Sequence, residues 1–561
     1  MLALVIVPGA GAAAAFDDGS RSRSWPIADD VVGDFVRRIE TELRPRWIVW
    51  DRATTAQLVH DGVRISKCWD IAAVQRLLVG GWRTDPARAW AELHDLAAEL
   101  PVVAEVDLFT IAVDDPGPEE PVRDDGFIKP EWLERDFVWS SARLVRWAEL
   151  AARTAALQID ALARVVDRPK APSIARSESA AELLCAELSE DGLPMDRGAA
   201  EDIISSFVGP RPRTESEAVD MRRRRDAEVL RHASVPNCDL RNPAQVKSLL
   251  RSIGVELPDT RARNLEAVRD SHPLIEALLD WRKAERIATT FGYAWLDEHL
   301  GADGRLRGTW TACDGAAGRM TASAGLHNMP AQLRPAVIAE RDHVFVRADL
   351  GQIEPRILAS VSGDRSLAAA TQRDDMYAPV AEQLGVDRAT AKVAVLGAMY
   401  GQTTGHGAAA LRGLERAYPV AMRYLDEADR SGQVGRDVRT DGGRLVRMGF
   451  AGRGEPGDRE SRSRAAAQGR YGRNAMVQGA AAEFFKVWAV TVRSRAGVFD
   501  ARIVLCLHDE LLVHVPSPHG HDVAELLEQC LADAARHWAS NESVRFVADV
   551  SVIERWSDSK S

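Results

Sequence analysis

Residues 502–515 read RIVLCLHDELLVHV, and this stretch decides the local fold of the chain. Two apolar runs flank the charged tripeptide at 508–510, which predicts a β-hairpin with the charges at its turn. A further apolar strand, VFVRAD at 344–349, ends on an acid. Asp349 and Asp509 are therefore expected where buried β-structure meets solvent.

Two carboxylates in such positions can hold a pair of Mg²⁺ ions, because this hard cation prefers oxygen ligands and keeps waters or phosphate oxygens in the rest of its shell. Ions about 4 Å apart stabilise both the attacking and the leaving oxygen of a phosphoryl displacement. An acid at a strand end is also a common turn former or helix cap. The positions of Asp349 and Asp509 alone therefore leave a structural interpretation open.

The composition is that of a globular enzyme with more than one domain. The chain has 561 residues, of which 46% are apolar and 28% charged, and single domains are usually shorter than this. Its six cysteines form no CxxC pair, which argues against a zinc site or a disulfide framework and favours a reducing compartment. Because the net charge is −11, nucleic acid could be bound only through a local basic patch.

No segment of the sequence predicts a membrane span, because no apolar run reaches the roughly 18 to 20 residues that a bilayer requires. The opening MLALVIVPGAGAAAAF is apolar enough to raise the question of a secretory signal. It lacks a basic first segment and is followed at once by Asp17 and Asp18, so a buried strand and turn are favoured. We expect a cytoplasmic protein that does not bind membranes.

The hydrophobic pattern divides the chain into successive regions. Residues 1 to about 115 alternate helical patterns such as Ile71–Leu78 with short apolar runs, which predicts a small α/β domain. Residues 115–130 are rich in Asp, Gly and Pro and predict a loop. Helical periodicity dominates residues 138–300, and a mixed α+β region follows. The apolar runs of the first region are Leu2–Val7, Trp47–Trp50, Val102–Val106 and Phe109–Val113.

Three motifs around the two aspartates resemble those of family A DNA polymerases. DLGQIEPRILASVSGD (349–364) resembles motif A, DRATAKVAVLGAMYGQ (387–402) resembles motif B, and LHDELLVHV (507–515) resembles motif C. They occur in the family's order, and the resemblance covers about residues 180–561. Further segments are similar to parts of the family that contact primer–template or form the thumb: AGRMTASAGLHNMP (317–330), GRYGRNAMVQGAAAEFF (469–485), SEDGLPMD (189–196), CDLRNPAQVKSLL (238–250) and DWRKAERIATTF (280–291).

The resemblance implies an α+β multidomain fold with palm, fingers and thumb, preceded by an α/β, RNase H-like domain of the exonuclease type. The palm would carry both aspartates on an antiparallel sheet. The expected domains are a degenerate 3′–5′ exonuclease-like domain at 1–165, the thumb and start of the palm at 166–310, the palm with motif A at 311–365, the fingers with motif B at 366–475, and the palm with motif C at 476–561.

The resemblance also implies the residues of a polymerase site. Asp349 and Asp509 would bind two Mg²⁺ ions, for which Mn²⁺ can substitute, and Glu510 and Lys392 would complete the catalytic set. Arg356 would support the acids from behind. The residues expected to bind the incoming dNTP are Arg388, Lys392, Leu396, Tyr400, Glu354, Gln352, Ile353 and Tyr377. Those expected to hold the DNA are Arg282, Arg286, Arg319, Asn328, Arg470, Asn474, Gln478 and His508.

The chemistry of these residue types fits the implied roles. Arg388, Lys392 and Tyr400 recur at i, i+4 and i+12, roughly one face of a helix, where cations would neutralise the charge that grows on a leaving pyrophosphate. Two solvated cations on a surface helix are the alternative. Glu354 is similar to the family's sugar gate, which leaves no room for a 2′-hydroxyl and favours deoxynucleotides. An ordinary acid at a helix start is the alternative there.

Three positions depart from the family's pattern. Leu396 stands where an aromatic residue is usual, Tyr377 where a phosphate-binding histidine is usual, and Gly351 where a serine is usual. We expect Leu396 to change discrimination among sugar analogues, including dideoxynucleotides. The hydroxyl of Tyr377 could serve as a neutral donor. The short stretch between Tyr377 and Arg388 predicts a trimmed fingers region.

The segment 430–473 is the expected local basic patch of an acidic protein that binds DNA. It contains eleven arginines against five acids, an excess of six positive charges that could contact phosphates. A solvated charged loop is the alternative for its first half. The arginines are Arg430, Arg436, Arg439, Arg444, Arg447, Arg453, Arg459, Arg462, Arg464, Arg470 and Arg473.

The N-terminal region lies where the family carries its proofreading exonuclease, whose two metals require a strand with Asp-x-Glu and further aspartates. The first strand, ALVIVPGAG, has no acid, and FVWSS at 137–141 lacks the final acid of the family's Tyr-xxx-Asp motif. Asp70 and Asp107 remain but cannot build such a site alone. We therefore predict a degenerate domain without proofreading, and no 5′-nuclease domain.

Taken together, the motifs imply a template-directed DNA polymerase in which a primer 3′-hydroxyl attacks the α-phosphorus of a dNTP. Its partners would be primer–template DNA and dNTPs, and it would act as a nucleoid-associated monomer in replication or repair. A phage-type single-subunit RNA polymerase shares the logic of motifs A and C, but Glu354 argues against it. A catalytically inactive repair scaffold is disfavoured because every motif acid and cation is present.

Overall fold

The computed structural model describes residues 1–17, 21–82, 84–96, 120–134, 137–233, 238–315, 317–401, 407–449 and 459–559. The chain divides into two compact units. The first unit comprises residues 1–191, 309–322 and 342–552, and the second comprises residues 192–308, 323–341 and 553–561. Within the described ranges, no helix combines the length and the apolar character that crossing a bilayer would need.

The first unit opens on a five-stranded sheet, formed by β1 (Leu2–Val7), β2 (Gly11–Asp17), β3 (Ser22–Ile27), β4 (Trp47–Val49) and β5 (Cys68–Asp70). The strand order is β3-β2-β1-β4-β5, in which β1 pairs antiparallel with β2 and parallel with β4. The predicted α/β organisation is therefore confirmed for this region. The other two predicted strands, Val102–Val106 and Phe109–Val113, lie outside the described residues, as does Asp107.

Helices cover this sheet and lead out of it. Ala12–Ala15 on β2 are buried, and their small side chains let the long helix α5 lie directly against the strand. The next helix, α6, packs against β5 and against the helices α2 and α3. The helices are α1 (Val32–Glu42), α2 (Arg52–His60), α3 (Ile71–Val79), α4 (Pro86–Leu93), α5 (Ser141–Ala163) and α6 (Ala171–Asp191).

The second unit is mainly helical, as the periodicity of residues 138–300 predicts. Its core contains Leu274, Leu278 and Trp281, which form one stripe along a central helix and are buried. A short antiparallel pair of strands links the first residues of the segment 192–308 to its last residues. Its elements are β6 (Leu193–Pro194), α7 (Arg197–Val208), α8 (Glu215–Leu230), α9 (Pro243–Ser252), α10 (Ala262–Glu266), α11 (Pro273–Thr290), α12 (Tyr293–His299) and β7 (Arg305–Leu306).

The remainder of the first unit is built around a four-stranded sheet. Its strands are β10 (His343–Leu350), β13 (Arg502–Cys506), β14 (Glu510–Pro516) and β15 (Ala548–Ile553), in the order β13-β14-β10-β15. The pairs β13–β14 and β10–β14 are antiparallel. The hairpin predicted from 502–515 and the strand predicted at 344–349 are therefore confirmed, and they are neighbours.

Two small hairpins and eight helices, counted over the described residues, complete this part of the first unit. The hairpins are β8 (Trp310–Asp314) with β9 (Arg319–Ala322), and β11 (Val438–Arg439) with β12 (Leu445–Val446). The helices are α13 (Ile353–Ser362), α14 (Arg365–Ala370), α15 (Tyr377–Leu384), α16 (Arg388–Tyr400), α17 (Gly407–Ala417), α18 (Pro419–Gln433), α19 (Arg459–Ala496) and α20 (Gly520–Trp538).

A buried charge cluster fixes the β8–β9 hairpin on α19. Glu178 accepts from Arg444 at 2.5 Å and from Lys486 at 2.5 Å, and all three side chains are almost fully buried. Lys486 also donates to the carbonyl oxygen of Gly318 at 2.8 Å. Gly318 has a φ of +65°, and a Cβ there would lie 2.6 Å from the Arg444 guanidinium carbon, so glycine is required.

The same cluster corrects part of the expected basic patch at 430–473. Arg444 is buried and neutralised by Glu178, and Arg473 is buried, where it pairs with Asp426 and donates to the carbonyl oxygen of Ala398. These two cations serve the interior because a buried guanidinium must satisfy its donors inside the protein. Arg430, Arg436, Arg447, Arg462 and Arg470 are exposed.

Candidate active site

The two aspartates lie at one end of the four-stranded sheet. Asp349 is paired in register with Glu510 across β10 and β14. Asp509 precedes β14 in the hairpin turn, and its carbonyl oxygen accepts from the backbone N–H of Leu350 at 2.7 Å. The turn itself is closed by a bond of 2.8 Å from the Leu507 N–H to the Glu510 carbonyl oxygen. These backbone bonds bring three carboxylates together at the sheet end.

Burial and the neighbouring carboxylates raise the pKa values of the two aspartates. Burial, followed by the charges of Asp349, Glu510 and Glu354, raises the pKa of Asp509 to about 6. Burial also raises the pKa of Asp349, and the charge of Glu510 adds to this effect. Acids that are held together against their repulsion form an oxygen-rich, negative site of the kind that Mg²⁺ prefers. The residues present therefore fit a divalent cation.

A buried arginine in this site escaped the sequence interpretation. The side chain of Arg347 is 4% exposed and donates to Asp349 Oδ2 at 2.6 Å and to Glu510 Oε1 at 2.7 Å. The signal was a charged residue in the otherwise apolar run VFVRAD, two positions before Asp349. Side chains two residues apart on a strand project from the same face, so the contact with Asp349 could have been anticipated.

The expected role of Arg356 is wrong. Its buried guanidinium donates to the backbone carbonyl oxygens of Gly351 at 2.8 Å, Thr371 at 2.7 Å and Asp374 at 2.7 Å. These carbonyls belong to connecting segments around α13, and the buried guanidinium satisfies its own donors by bonding to them. Arg356 therefore holds the loops around α13 together, and Arg347 is the cation that contacts the acids.

The start of α13 is shaped by two unusual residues. Gln352 has a φ of +56°, and its side chain donates to Asp375 Oδ1 at 2.9 Å and accepts from the Met376 N–H at 2.9 Å. These bonds compensate a left-handed backbone that costs a non-glycine residue energy. A Cβ at Gly351 would lie 2.9 Å from Val547 Cγ2, which explains why the usual serine is absent. Ile353 is buried behind them.

Glu354 lies in a hydrogen-bond network with residues from three other elements. Tyr400, at the end of α16, donates to Glu354 Oε2 at 2.5 Å, and Arg319, on β9, donates to Oε1 at 3.1 Å. Gln478 on α19 also hydrogen-bonds the Tyr400 hydroxyl. Burial and the bond to Glu354 raise the pKa of Tyr400 to about 12, so the hydroxyl remains a donor.

The cationic face of α16 is exposed. Arg388 pairs with Asp375 at 2.5 Å and is 56% exposed, and Lys392 is exposed one turn later. Leu396 is half-buried on the next turn. Tyr377 is buried with its ring centroid 5.8 Å from the Arg388 guanidinium, and burial raises its pKa to about 12. Both cations are thus accessible to an anionic ligand.

The candidate DNA contacts of the first unit line α19 and the hairpin turn. Arg470 is exposed, and its side chain packs against Gly401, where a Cβ would lie 2.8 Å from Arg470 Cγ. The side-chain oxygen of Asn474 is buried without a hydrogen-bond partner among the described residues. His508 is exposed in the turn beside Asp509.

The second unit brings together the remaining candidate DNA contacts. Arg286 on α11 is exposed and donates to the carbonyl oxygen of Asn328 at 2.5 Å. Arg282, one turn earlier, donates to the carbonyl oxygen of Thr260, and burial lowers the pKa of its guanidinium. Arg286 and Asn328 therefore form one small polar surface. The side chain of Arg282 already uses a donor on the carbonyl oxygen of Thr260.

In the described part of the N-terminal region, Asp70 and the FVWSS segment have structural partners. Asp70 is 1% exposed, and its side chain caps α3 by accepting from the Ala73 N–H at 2.8 Å. In FVWSS, Ser140 is the N-cap of α5 and accepts from the Arg143 N–H at 3.3 Å. Both residues satisfy the free N–H groups at a helix start.

The fold is shared with a solved structure described as the POL domain of Pol1 from M. smegmatis in complex with DNA primer-template and dNTP. The TM-score is 0.70 and the match covers 100% of this chain and 96% of that one, at 20% sequence identity. At that identity the likeness defines the fold. It confirms the expected α+β multidomain architecture of a polymerase.

The sequence profile of DNA polymerase family A matches residues 225–558, and the chain belongs to that family. This confirms the resemblance that motifs A, B and C indicate. A DNA polymerase I of Chloroflexus aurantiacus is 30% identical over 49% of this chain and 32% of its own length. The thermostable DNA polymerase I of Thermus aquaticus is 29% identical over 48% and 35%, respectively. The chain thus spans about a third of the length of these two relatives.

Proposed function

We propose that this chain is a template-directed DNA polymerase that adds dNTPs to the 3′ end of a primer. The observation that carries the proposal is the convergence of Asp349, Asp509 and Glu510 at one sheet end. Family membership supports it. The proposed partners are primer–template DNA and dNTPs, and we infer a nucleoid-associated monomer of the cytoplasm that serves replication or repair.

Asp349 and Asp509 are the proposed ligands of two Mg²⁺ ions, with Mn²⁺ as a substitute and Glu510 as an accessory acid. When bound, such ions lower the pKa of a hydroxyl nucleophile and neutralise charge on phosphate oxygens. The protein's own contribution is to keep the three carboxylates close together despite their repulsion. The backbone bonds of the hairpin turn and the Arg347 side chain perform this task.

The nucleotide would lie between α13 and α16. Arg388 and Lys392 are accessible cations that can bind the triphosphate, and phosphoryl transfer depends mainly on such positioning and charge. Arg388 would have to release its exposed partner Asp375 in order to bind phosphate. The free-energy cost of this release is small because surface ion pairs are weak. Gln352, Ile353, Leu396 and Tyr377 would line this space.

Discrimination against ribonucleotides is assigned to Glu354. Arg319 and Tyr400 each occupy one of its oxygens, so the carboxylate is held in one orientation by two elements. A fixed carboxylate excludes a 2′-hydroxyl more effectively than a mobile one, because it cannot turn away without losing both bonds. Tyr400 itself presents its ring at the same place and would stack on the insertion site.

In the first unit, the residues proposed to contact the duplex are Arg319, Arg470, Asn474, Gln478 and His508. In the second unit, they are Arg282, Arg286 and Asn328. Minor-groove acceptors are nearly the same for every base pair, so contacts there test pairing geometry without sequence preference. The proposed domains keep the boundaries 1–165, 166–310, 311–365, 366–475 and 476–561. The first of them is proposed to lack proofreading, since its first strand carries no acid and Asp70 is a buried helix cap.

Primer extension on a defined template tests the proposal. We expect wild-type protein to extend the primer with dNTPs and Mg²⁺, and to use rNTPs poorly. Asp509→Ala should abolish extension while leaving the fold intact by circular dichroism. Preferential use of rNTPs would indicate an RNA polymerase, and DNA binding without extension by the wild type would indicate a scaffold; either result would refute the proposal.

A further inference from the structure

The carboxylate site contains a permanent cation of its own. Arg347 is buried on β10, and its three guanidinium nitrogens each point at a different acid: Asp349 Oδ2 at 2.6 Å, Glu510 Oε1 at 2.7 Å and Asp549 Oδ2 at 3.8 Å. A guanidinium does not lose its proton in proteins. The positive charge at this place is therefore a fixed property of the site.

Strand register places these acids around Arg347. Its register partner on β14 is Leu512, and Glu510 lies two residues earlier on that strand, opposite Asp349. Asp549 is on β15, the strand on the other side of β10. Arg347 therefore lies between acids from both neighbouring strands. Its side chain and that of Glu510 are 4% and 6% exposed. Since water cannot replace the carboxylates as partners of so buried a cation, the ion pair with Glu510 is permanent.

The pairing has two consequences for a divalent cation. First, Asp349 Oδ2 and Glu510 Oε1 both accept hydrogen bonds from Arg347, which holds the two carboxylates in one orientation relative to each other. Second, the guanidinium neutralises one of the four negative charges on Asp349, Asp509, Glu510 and Asp549. A positive charge fixed within a few ångströms of the same oxygens repels a second cation.

We propose that Arg347 is a built-in counter-cation that orients Asp349 and Glu510 and lowers the affinity of the site for divalent cations. It is a positioning residue that acts through the two acids it contacts. Arg347 then keeps the carboxylates in place before a metal ion binds, and the affinity of the site for that ion is lower as a result. This inference rests on the proposed function, because it takes Asp349 and Asp509 as the metal ligands.

Direct metal binding tests the proposal without reference to activity. Mn²⁺ binding to the full chain, without DNA or nucleotide, is measured at pH 8 by electron paramagnetic resonance of the unbound ion. Arg347→Met is expected to bind Mn²⁺ on the order of 10-fold more tightly, because the uncompensated acids then depend on the metal for neutralisation. Arg347→Lys, which keeps the charge, should stay within about 3-fold of the wild type. Equal or weaker binding by folded Arg347→Met, or tight binding by Arg347→Lys, overturns the proposal.

A second pair of variants covers the case in which Arg347→Met does not fold. Glu510→Gln with Arg347→Met removes both charges of the buried pair, and is compared with Glu510→Gln alone. The double variant should bind Mn²⁺ more tightly by a similar factor, and equal binding contradicts the inference. Asp509→Asn separates the two hypotheses: if wild-type binding is insensitive to it, the proposed metal site itself fails, whereas a sensitive site that ignores Arg347 overturns only the counter-cation.

Discussion

Two groups of acids follow strands in the first unit, and they differ in what occupies their oxygens. Asp70 comes at the end of β5, is 1% exposed, and accepts from the backbone of α3, while the neighbouring Glu182 pairs with Arg76. Asp349 comes at the end of β10 and its side chain is 35% exposed. Asp509 has no arginine partner within the described part of the chain.

The difference indicates what a strand-end acid needs in order to serve as a ligand: the fold must leave some of its oxygens without protein donors. Burial, with the charge of Glu182, raises the pKa of Asp70 well above its ordinary value, yet that acid has no access to a ligand. A shifted pKa alone therefore does not distinguish the two groups. The two groups differ instead in the exposure of the acid and in whether carboxylate oxygens are left for a ligand.

The largest expected effect is a difference in primer extension between variants of Asp349 and Asp70. Asp349→Asn should lower the rate of primer extension on the order of 10³-fold or more, because a neutral amide is a poor ligand for a hard cation. The matched variant Asp70→Asn should leave that rate within about 3-fold, since its role is to cap a helix. Single-turnover primer extension measures both, and similar losses in the two variants would remove the distinction.

The second effect concerns stability. Arg76→Met removes the nearer cation of the buried acids Glu182 and Asp70 and leaves Glu182 only Arg52, at 3.9 Å. This should reduce the free energy of unfolding by about 3 kcal/mol. Urea denaturation followed by tryptophan fluorescence measures this, and Arg88→Met, at a 44% exposed arginine on α4, is the control with little expected change. An equal response of the two variants would show that the N-terminal acids do not depend on Arg76.

The third effect concerns an acid of the active site whose oxygens are both occupied. Glu354→Ala removes the partner of Arg319 and Tyr400 and opens space beneath the sugar. We expect the preference for dNTPs over rNTPs to fall roughly 30-fold, while Mn²⁺ affinity changes little. The ratio of kcat/KM for the two nucleotides is the measurement. Loss of Mn²⁺ binding in Glu354→Ala would instead show that Glu354 acts on the metal, as Asp349 is proposed to do.

The smallest effect is a pH dependence. An acid whose folded pKa is raised contributes stability that is complete below its unfolded pKa, about 4, and is lost as pH rises through the folded value. For Asp70 the raised pKa therefore predicts that wild-type stability falls, relative to Asp70→Asn, from about pH 4 upward, by at most about 1.4 kcal/mol per pH unit. Urea titrations of both proteins across this range should show the divergence. Parallel curves would mean that Asp70 is ionised in the folded state.

Much of the site could be predicted because its residues lie in short, regular segments. The hairpin at 502–515, the strand at 344–349 and the helix of motif B follow from local alternation and periodicity. Register then places Asp349 opposite Glu510 once the two strands are paired. Glu354 and Tyr400 were both expected at the nucleotide, and the hydrogen bond between them joins two such segments.

The errors have a common cause. The position of Arg356 in the sequence predicts a contact with the acids, but its guanidinium donates to five backbone carbonyls of surrounding loops. The excess of arginines at 430–473 predicts a basic patch that includes Arg444 and Arg473, but these two residues pair with Glu178 and Asp426 on other helices. Arginine is long and carries five donors, so its partner depends on what the tertiary structure brings within reach.

The sequence by itself therefore determined where the carboxylates of this polymerase family member lie, because strand alternation and turn chemistry act over a few residues. It also determined that the first strand carries no acid. Only the tertiary structure decided which cation accompanies Asp349, and why Asp70 forms no comparable site. The physical reason is that the free energy of a charged group depends on its burial and on partners far away in the chain, and neither is encoded within a motif.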